Sequence, residues 1–432
     1  MDPKFKIVLI NHSFQIDYYS RRWQLFAKSY PNVEVVLFAP AEFEWYKDSS
    51  YTYGKSSILK SKEVHDGNFH KRLFRIVEHK YRGWNSPDLK KMLLEESPNI
   101  IYHLGTHNML SLAQVIKIRN RYLPSTKVIA FSMRGPALNL TIKKTKTNIV
   151  KWIARRVIYF YLWKRLIFIN KNVDAFFCHY PMAIDCFREE GYNGPIYMQT
   201  QVGVNEEWFH KDMEARNEIR AKYNISDYTY VFGSATRFSP SKGVDLILKA
   251  LPNEGDWKYL MMGSGVDEDL ERLKGIIKER HIEDKVIITG FIDWYEIAKY
   301  WNAIDCAIHV PITTLQWEET FSLSVIQPQI TGKPVIGSTS GSVPYQIGFK
   351  DMLVPENNVE ALAEKIKWVL ENKDTVQLYG EKMYQRTHAC FEIKHLNDLF
   401  YRTLVEDVLN GTFDLMKVDM TKYNTNENTL DY

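Results

Sequence analysis

The chain is predicted to be an α/β protein of two Rossmann-like domains, on three observations. Short apolar strands alternate with helical patterns through both halves, which implies parallel sheets covered by helices on both faces. At 432 residues the chain is too long for one ordinary domain, so two are expected. Its content of 45% hydrophobic and 25% charged residues is ordinary globular composition, enough for two cores.

Strands in the first half are read at Lys6–Ile10, Val33–Phe38, Ile100–His103, Lys127–Phe131 and Ala175–Cys178. Each is a short apolar run of strand length. In the second half they are read at Tyr228–Gly233, Lys258–Met262, Val286–Thr289, Ala307–His309 and Pro334–Gly337. Helices there are read at Val244–Leu251, Asp267–Arg280, Trp294–Asn302, Thr320–Thr331 and Val359–Glu371. Gly263-Ser264-Gly265 and Gly290 punctuate strand ends, where backbone turns sharply or approaches a ligand. The domain boundary is expected within Gln201–Tyr228. The end, Thr421–Tyr432, is polar and expected to be disordered.

The four cysteines (Cys178, Cys186, Cys306 and Cys390) form no CxxC pair. That argues against a disulfide framework or a structural zinc and suits a reducing compartment. The chain enters a strand at once, so no signal peptide is expected. No apolar stretch approaches the roughly eighteen residues of a membrane span. These features point to a cytoplasmic protein.

The net charge of +4 hides an asymmetry. Ser97–Val173 holds fourteen Lys and Arg and no Asp or Glu, which leaves the rest of the chain near −10. So segregated a basic block suggests an anionic partner.

The most informative run lies in the second half. Val231-Phe232-Gly233-Ser234-Ala235-Thr236 leads into Arg237, and Lys242-Gly243 follows. A strand thus enters a turn with two cations five positions apart. Arg237 can fork onto phosphate oxygens, and Lys242 supplies a point charge. Taken alone, such a pair is also what a solvated turn looks like. Downstream, Glu319-Thr320-Phe321-Ser322-Leu323-Ser324-Val325-Ile326-Gln327 reads as a carboxylate followed by a helix start. Helix N-termini favour anionic phosphate. Glu318 is the neighbouring alternative for that carboxylate. The spacing to Phe321, Leu323 and Gly332-Lys333-Pro334 favours Glu319.

The order and spacing of these segments resemble the nucleotide-binding half of the GT-B-fold retaining glycosyltransferases of family 4 (glycosyl transferases group 1). The resemblance spans Val202–Leu370 well and the first 200 residues loosely. It implies two Rossmann-like domains facing a cleft, with a C-terminal helix crossing back to the first. It places an acceptor-binding domain at 1–204, a nucleotide-sugar domain at 205–384, crossing helices at 385–410, overlapping the last helices read at roughly Thr375–Leu409, and a polar tail at 411–432. Val202-Gly203-Val204-Asn205 would be the inter-domain hinge.

It further implies that Arg237 and Lys242 hold the donor diphosphate and stabilise the leaving nucleotide, so that no metal and no cofactor are needed. Glu319 would bond sugar hydroxyls. Gly263, Phe291, Ile292, Thr320, Phe321, Ser322 and Leu323 would line the donor site. Gln327 stands where the family carries a ribose-binding Glu; the amide can still accept a hydroxyl but carries no charge. UDP is favoured slightly over GDP.

The first half departs further. Asn11-His12-Ser13-Phe14-Gln15 lacks the family's glycine-rich loop, and Arg134 stands where a His is usual. Acceptor-side candidates are His103, His107 and Arg134. A structural strand-end His and a plain loop Arg are the alternatives.

The segment 143–171 is basic and aromatic. Ile149, Trp152, Ile153, Phe160, Trp163 and Ile167 fall on one side at helical spacing, interrupted by Arg156. This suits a helix on an anionic membrane surface at the inner membrane face. A buried helix with basic ends is the alternative. No nucleic-acid motif accompanies it, so no nucleic acid is expected.

The expected function is sugar transfer from a nucleoside-diphosphate sugar to a glycan or lipid-linked acceptor, in cell-surface polysaccharide or glycolipid biosynthesis. A non-catalytic scaffold on the same fold is the alternative from another class. An epimerase or phosphorylase is the alternative within it.

Overall fold

The computed structural model describes residues 5–45, 57–79, 83–105, 109–132, 149–314 and 317–406. These divide into two compact units. The first is built from the described parts of Met1–Glu44, Ile58–Gln201 and Asn397–Asp419, and the second from those of Trp45–Ser57 and Val202–Leu396.

The first unit opens with β1 (Phe5–Ile10), α1 (Asp17–Ser29) and β2 (Val33–Pro40). Short strands follow at β3 (Glu42–Trp45), β4 (Ser57–Lys60), β5 (Val64–Asp66), β6 (Phe69–Phe74), β7 (Val77–His79) and β8 (Gly83–Asn85). The α/β alternation then resumes with α2 (Leu89–Glu96), β9 (Ile100–Leu104), α3 (Leu110–Tyr122), β10 (Lys127–Ser132), α4 (Ile149–Asn172), β11 (Ala175–Cys178), α5 (Met182–Glu189) and β12 (Ile196–Met198). One eight-stranded sheet has the order β12-β11-β10-β9-β1-β2-β6-β5. Its pairs are parallel except β5 with β6.

The predicted strands all form, and three more extend the sheet at its edges. β6 reads Phe-His-Lys-Arg-Leu-Phe, a composition that looks like a loop. Its charges are satisfied by distant partners: Lys71 Nζ is 3.4 Å from Asp17 and Arg72 Nη2 is 2.8 Å from Glu95.

The second unit runs α6 (Met213–Lys222), β13 (Tyr230–Ala235), α7 (Val244–Ala250), β14 (Trp257–Met262), α8 (Asp267–Glu279), β15 (Val286–Gly290), α9 (Ile297–Ala303), β16 (Cys306–His309), α10 (Leu323–Ile330), β17 (Val335–Ser338), α11 (Val343–Ile347), β18 (Leu353–Val354), α12 (Val359–Glu371) and α13 (Lys373–Phe391). Its six-stranded sheet, β15-β14-β13-β16-β17-β18, is parallel throughout. The segment Val202–Asn205 is pinned here: Val204 N–H donates to Phe391 O at 3.0 Å, and Ile393 N–H donates to Val204 O at 2.9 Å.

Two helix starts differ from expectation. α9 begins at Ile297 rather than Trp294, because Asp293 Oδ1 accepts the Tyr295 N–H at 3.0 Å in an Asx turn. α10 begins at Leu323 rather than Thr320. Gln346 fixes the break, taking the Ser322 N–H on Oε1 and donating Nε2 to the Ser322 carbonyl, both at 2.9 Å.

The C-terminal helices divide between the two units. α13 still packs on the second unit, where Thr387 Oγ1 donates to Gln329 Oε1 at 2.6 Å. From Asn397, within α14 (Ile393–Phe400), the chain belongs to the first. Phe400, Leu404 and Val405 are fully or almost fully buried in its core. The Phe400 ring lies 5.0 Å from Trp23 and 5.4 Å from Phe26. Buried Arg22 ties the return by donating to Asn397 Oδ1 at 3.0 Å and to Thr200 O at 2.8 Å.

Candidate functional site

In open parallel sheets ligands bind beyond the carboxyl ends of the strands. In the second unit those ends surround a pocket of about 250 Å3. The turn after β13 brings Ala235, Thr236, Arg237 and Lys242; β14 ends on Met262 and Gly263; the segment after β15 adds Phe291 and Ile292. The start of α10 adds Ser322, Leu323 and Ser324, with Gln327 one turn on. Arg237, Lys242, Gly263, Phe291, Ile292, Ser322, Leu323 and Gln327 are thus brought together. Thr320 and Phe321 are not among the lining residues; Phe321 turns instead to the Phe391 ring at 5.7 Å.

Glu319 stands behind this wall, 6% exposed. Its Oε2 lies 2.6 Å from Lys242 Nζ and 3.3 Å from His309 Nε2. The His309 ring nitrogen is close but has no aligned hydrogen bond. Burial pushes the Glu319 carboxyl up, yet Lys242 and His309 outweigh it and hold the group at about 2. His309 is pushed down, chiefly by burial and further by Lys242, against the pull of Glu319. The arrangement is an ammonium–carboxylate pair beside a neutral imidazole. The Trp317 ring lies 4.3 Å from the same ammonium, a cation–π contact.

Two glycines make this approach possible. Gly243 has φ +70°, and a Cβ there would meet Val310 O at 2.0 Å. Gly341 has φ +48°, and a Cβ there would meet Glu319 O at 2.0 Å. The Glu319 carbonyl instead accepts the Ser342 N–H at 2.8 Å. Backbone runs directly against backbone at both places, so the pair is held from two sides.

Gln327 is 3% exposed. Its Oε1 accepts from Trp301 Nε1 at 3.1 Å, while its Nε2 has no partner among the described residues. Indole N–H is only a donor, so the amide orientation is fixed and its NH2 is left over. A buried donor without a partner costs free energy unless a ligand supplies an acceptor.

On the first unit, His103 is not available to an acceptor as placed. It is fully buried, stacks on Trp84 at 6.2 Å and pairs Nε2 with Ser111 Oγ at 2.9 Å. Burial, with His12 adding to it, pushes the imidazole down to about 3. It is a packed, neutral strand-end histidine. His107 and Arg134 lie outside the described residues, as does 143–148. The side chains of α4 are described from Phe160 onward: Leu166 and Ile169 are buried, while Phe160 and Trp163 are each 47% exposed. Among the described residues no helix is long and apolar enough to cross a membrane.

His309, Trp317, Ser324 and Gln346 escaped sequence reading. His309 ends a predicted strand, where ligands gather, and that was the available signal. The others are positioned by tertiary contacts: Ser324 Oγ donates to Ala235 O and Gln346 clamps Ser322.

Residues 215–386 match the family model described as glycosyl transferases group 1. The O-antigen biosynthesis glycosyltransferase WclY of Escherichia coli is 23% identical over 272 residues, covering 62% of this chain and 67% of that protein. Sucrose-phosphate synthase from Thermosynechococcus elongatus superposes with a TM-score of 0.68 at 16% identity, covering 94% of this chain and all of that one. Anabaena Alr3699/HepE in complex with UDP gives 0.68 at 14% identity, covering 93% and all of that chain. The chain therefore has the two-domain GT-B fold, and the match to the glycosyl transferases group 1 model falls within its second unit.

Proposed function

We propose that the chain is a retaining, metal-independent glycosyltransferase of family 4 type. It moves a sugar from a nucleoside-diphosphate sugar to a glycan or lipid-linked acceptor. The observation that carries this reading is the convergence of Arg237, Lys242 and the first turn of α10 on one pocket within residues 215–386. A diphosphate there meets two cations and the positive end of a helix. The bond from the sugar C1 to the diphosphate oxygen breaks, and an acceptor hydroxyl oxygen bonds to C1. The hydroxyl proton passes to the departing phosphate on the same face, so the protein supplies no base. Arg237 and Lys242 hold the negative charge that grows on the leaving group.

An arriving diphosphate competes with Glu319 for Lys242. Releasing that carboxylate frees its oxygens to accept sugar hydroxyls. The UDP complex of the Anabaena protein supports UDP over GDP. The E. coli O-antigen enzyme supports cell-surface polysaccharide as the product class. A lipid-linked acceptor, with the basic segment 143–171 on an anionic membrane at the cytoplasmic face, fits the same reading.

One observation favours a second reading, a non-catalytic scaffold. Glu319 does not line the pocket and is tied to Lys242. Incubation with a panel of UDP- and GDP-sugars and a crude glycolipid acceptor fraction separates the two. Acceptor-dependent nucleotide release, with the donor's anomeric configuration kept in the product by NMR, is expected. Donor binding with no release under any acceptor would sink the transferase reading. Donor conversion without acceptor would indicate an epimerase, and dependence on free phosphate a phosphorylase.

A further inference from the structure

Two side chains approach one carboxylate oxygen in the second unit. Glu319 Oε2 lies 2.6 Å from Lys242 Nζ and 3.3 Å from His309 Nε2. Backbone packing brings them there. Gly243 rests so closely on the Val310 carbonyl that a Cβ would meet it at 2.0 Å. Lys242 precedes the one residue and His309 the other. His309 closes β16, faces Gly337 of β17 in the sheet and is 3% exposed. Its ring therefore stays near Glu319. It also lines the pocket, whereas Glu319 does not.

The two nitrogens are not used alike. Lys242 makes a hydrogen bond to Glu319, while the buried His309 Nε2 has no aligned one among the described residues. A buried polar nitrogen left idle costs free energy. This one stands beside a carboxylate that, on the reading above, gives up Lys242 to the incoming diphosphate. So buried a carboxylate is destabilised strongly once its partner leaves. A neutral imidazole with its proton on Nε2 has one N–H to give. Departure of the ammonium also removes one of the two influences, burial being the other, that push the imidazole down.

We propose that His309 is a positioning residue: when a diphosphate draws Lys242 away, His309 Nε2–H donates to Glu319 Oε2 and holds the carboxylate toward the sugar hydroxyls. Lys242 can then turn to the phosphate without leaving a lone buried charge, so the histidine strengthens nucleotide binding. The proposal rests on the donor-site reading, and the experiment separates the two.

That experiment is calorimetric titration of the full chain with UDP and with GDP, followed with whichever binds wild type more tightly. His309→Leu keeps the bulk and removes the N–H, and should weaken binding by about tenfold or more. His309→Gln restores a side-chain N–H and should bind within about threefold of wild type. In a Glu319→Gln background, where no buried charge needs a new partner, His309→Leu should change affinity by less than about threefold. Thermal melts of the ligand-free variants check that each is folded. Undiminished affinity in His309→Leu overturns the proposal. So does an equal loss in the Glu319→Gln background, which would set His309 against the nucleotide itself. A His309→Gln protein as weak as His309→Leu would reduce the ring to a packing role and overturns it too. Any of these results, with binding abolished in Arg237→Ala, leaves the donor site standing. No nucleotide binding to wild type overturns both.

Discussion

Lys242 Nζ lies 2.6 Å from Glu319 Oε2, and the two side chains are only 12% and 8% exposed. Seventy-seven residues separate them in sequence, and each carries half of the chemistry assigned to the donor site. A charge pair this dry stabilises little as a pair, but breaking it leaves a buried charge alone.

Lys242→Ala should therefore lower turnover by orders of magnitude and also destabilise the fold by about 3–5 kcal/mol. Arg237→Ala should lower turnover comparably. Urea denaturation beside initial rates checks both. A Lys242→Ala protein as stable as wild type would mean that the pair does not form in solution.

The pair also sets an acid limit. Glu319 is held at about 2, below the ordinary carboxylate value of 4.5. Its stabilisation is fully present above about pH 5 and is lost as pH falls toward 2. The unfolding free-energy gap between wild type and Glu319→Gln should stay constant from neutrality to about pH 5, then narrow. A gap that widens on acidification would reverse the assignment.

Glycine substitutions should separate site geometry from helix propensity. Gly341→Ala puts a methyl against the Glu319 carbonyl at a φ of +48°, so loss of activity and of stability is expected. Gly275→Ala, inside α8 with nothing within 4 Å of the new methyl, should stabilise by up to about 1 kcal/mol. Thermal melts and rates of the two variants give the comparison. An active Gly341→Ala would show that the backbone there yields.

Gln327 offers a donor to the pocket, not the acceptor pair of a carboxylate. Gln327→Leu should weaken nucleotide binding by roughly tenfold. Gln327→Glu keeps the Trp301 bond and exchanges the NH2 for an acceptor, so its effect reports whether the ligand needs the N–H. Calorimetric titration with UDP measures both. Unchanged affinity in the Leu variant would remove Gln327 from the site.

Much of this was legible in the sequence because parallel strands buried on both faces read as apolar runs. Every predicted strand formed within two residues of its expected ends. What escaped was set by distant partners. β6 carries Lys71 and Arg72, whose partners Asp17 and Glu95 lie elsewhere in the chain, and the sequence reading placed no strand there. The start of α10 depended on Gln346, a residue 24 positions beyond Ser322. At the site, residue types and order could be read, but not the pairing of Lys242 with Glu319, nor the burial that leaves His103 without access to solvent. Spacing along a chain does not say which side chains close on each other before a ligand arrives.

The most direct test is a thermal-shift titration of the full chain with UDP, GDP and ADP, repeated on Arg237→Ala. A ligand that binds only the folded state at about 100 times its Kd stabilises it by about 2.7 kcal/mol. The account predicts one preferred nucleotide, UDP before GDP, whose shift is abolished in Arg237→Ala. No shift from any nucleotide at millimolar concentration, or an equal shift in the variant, would contradict it.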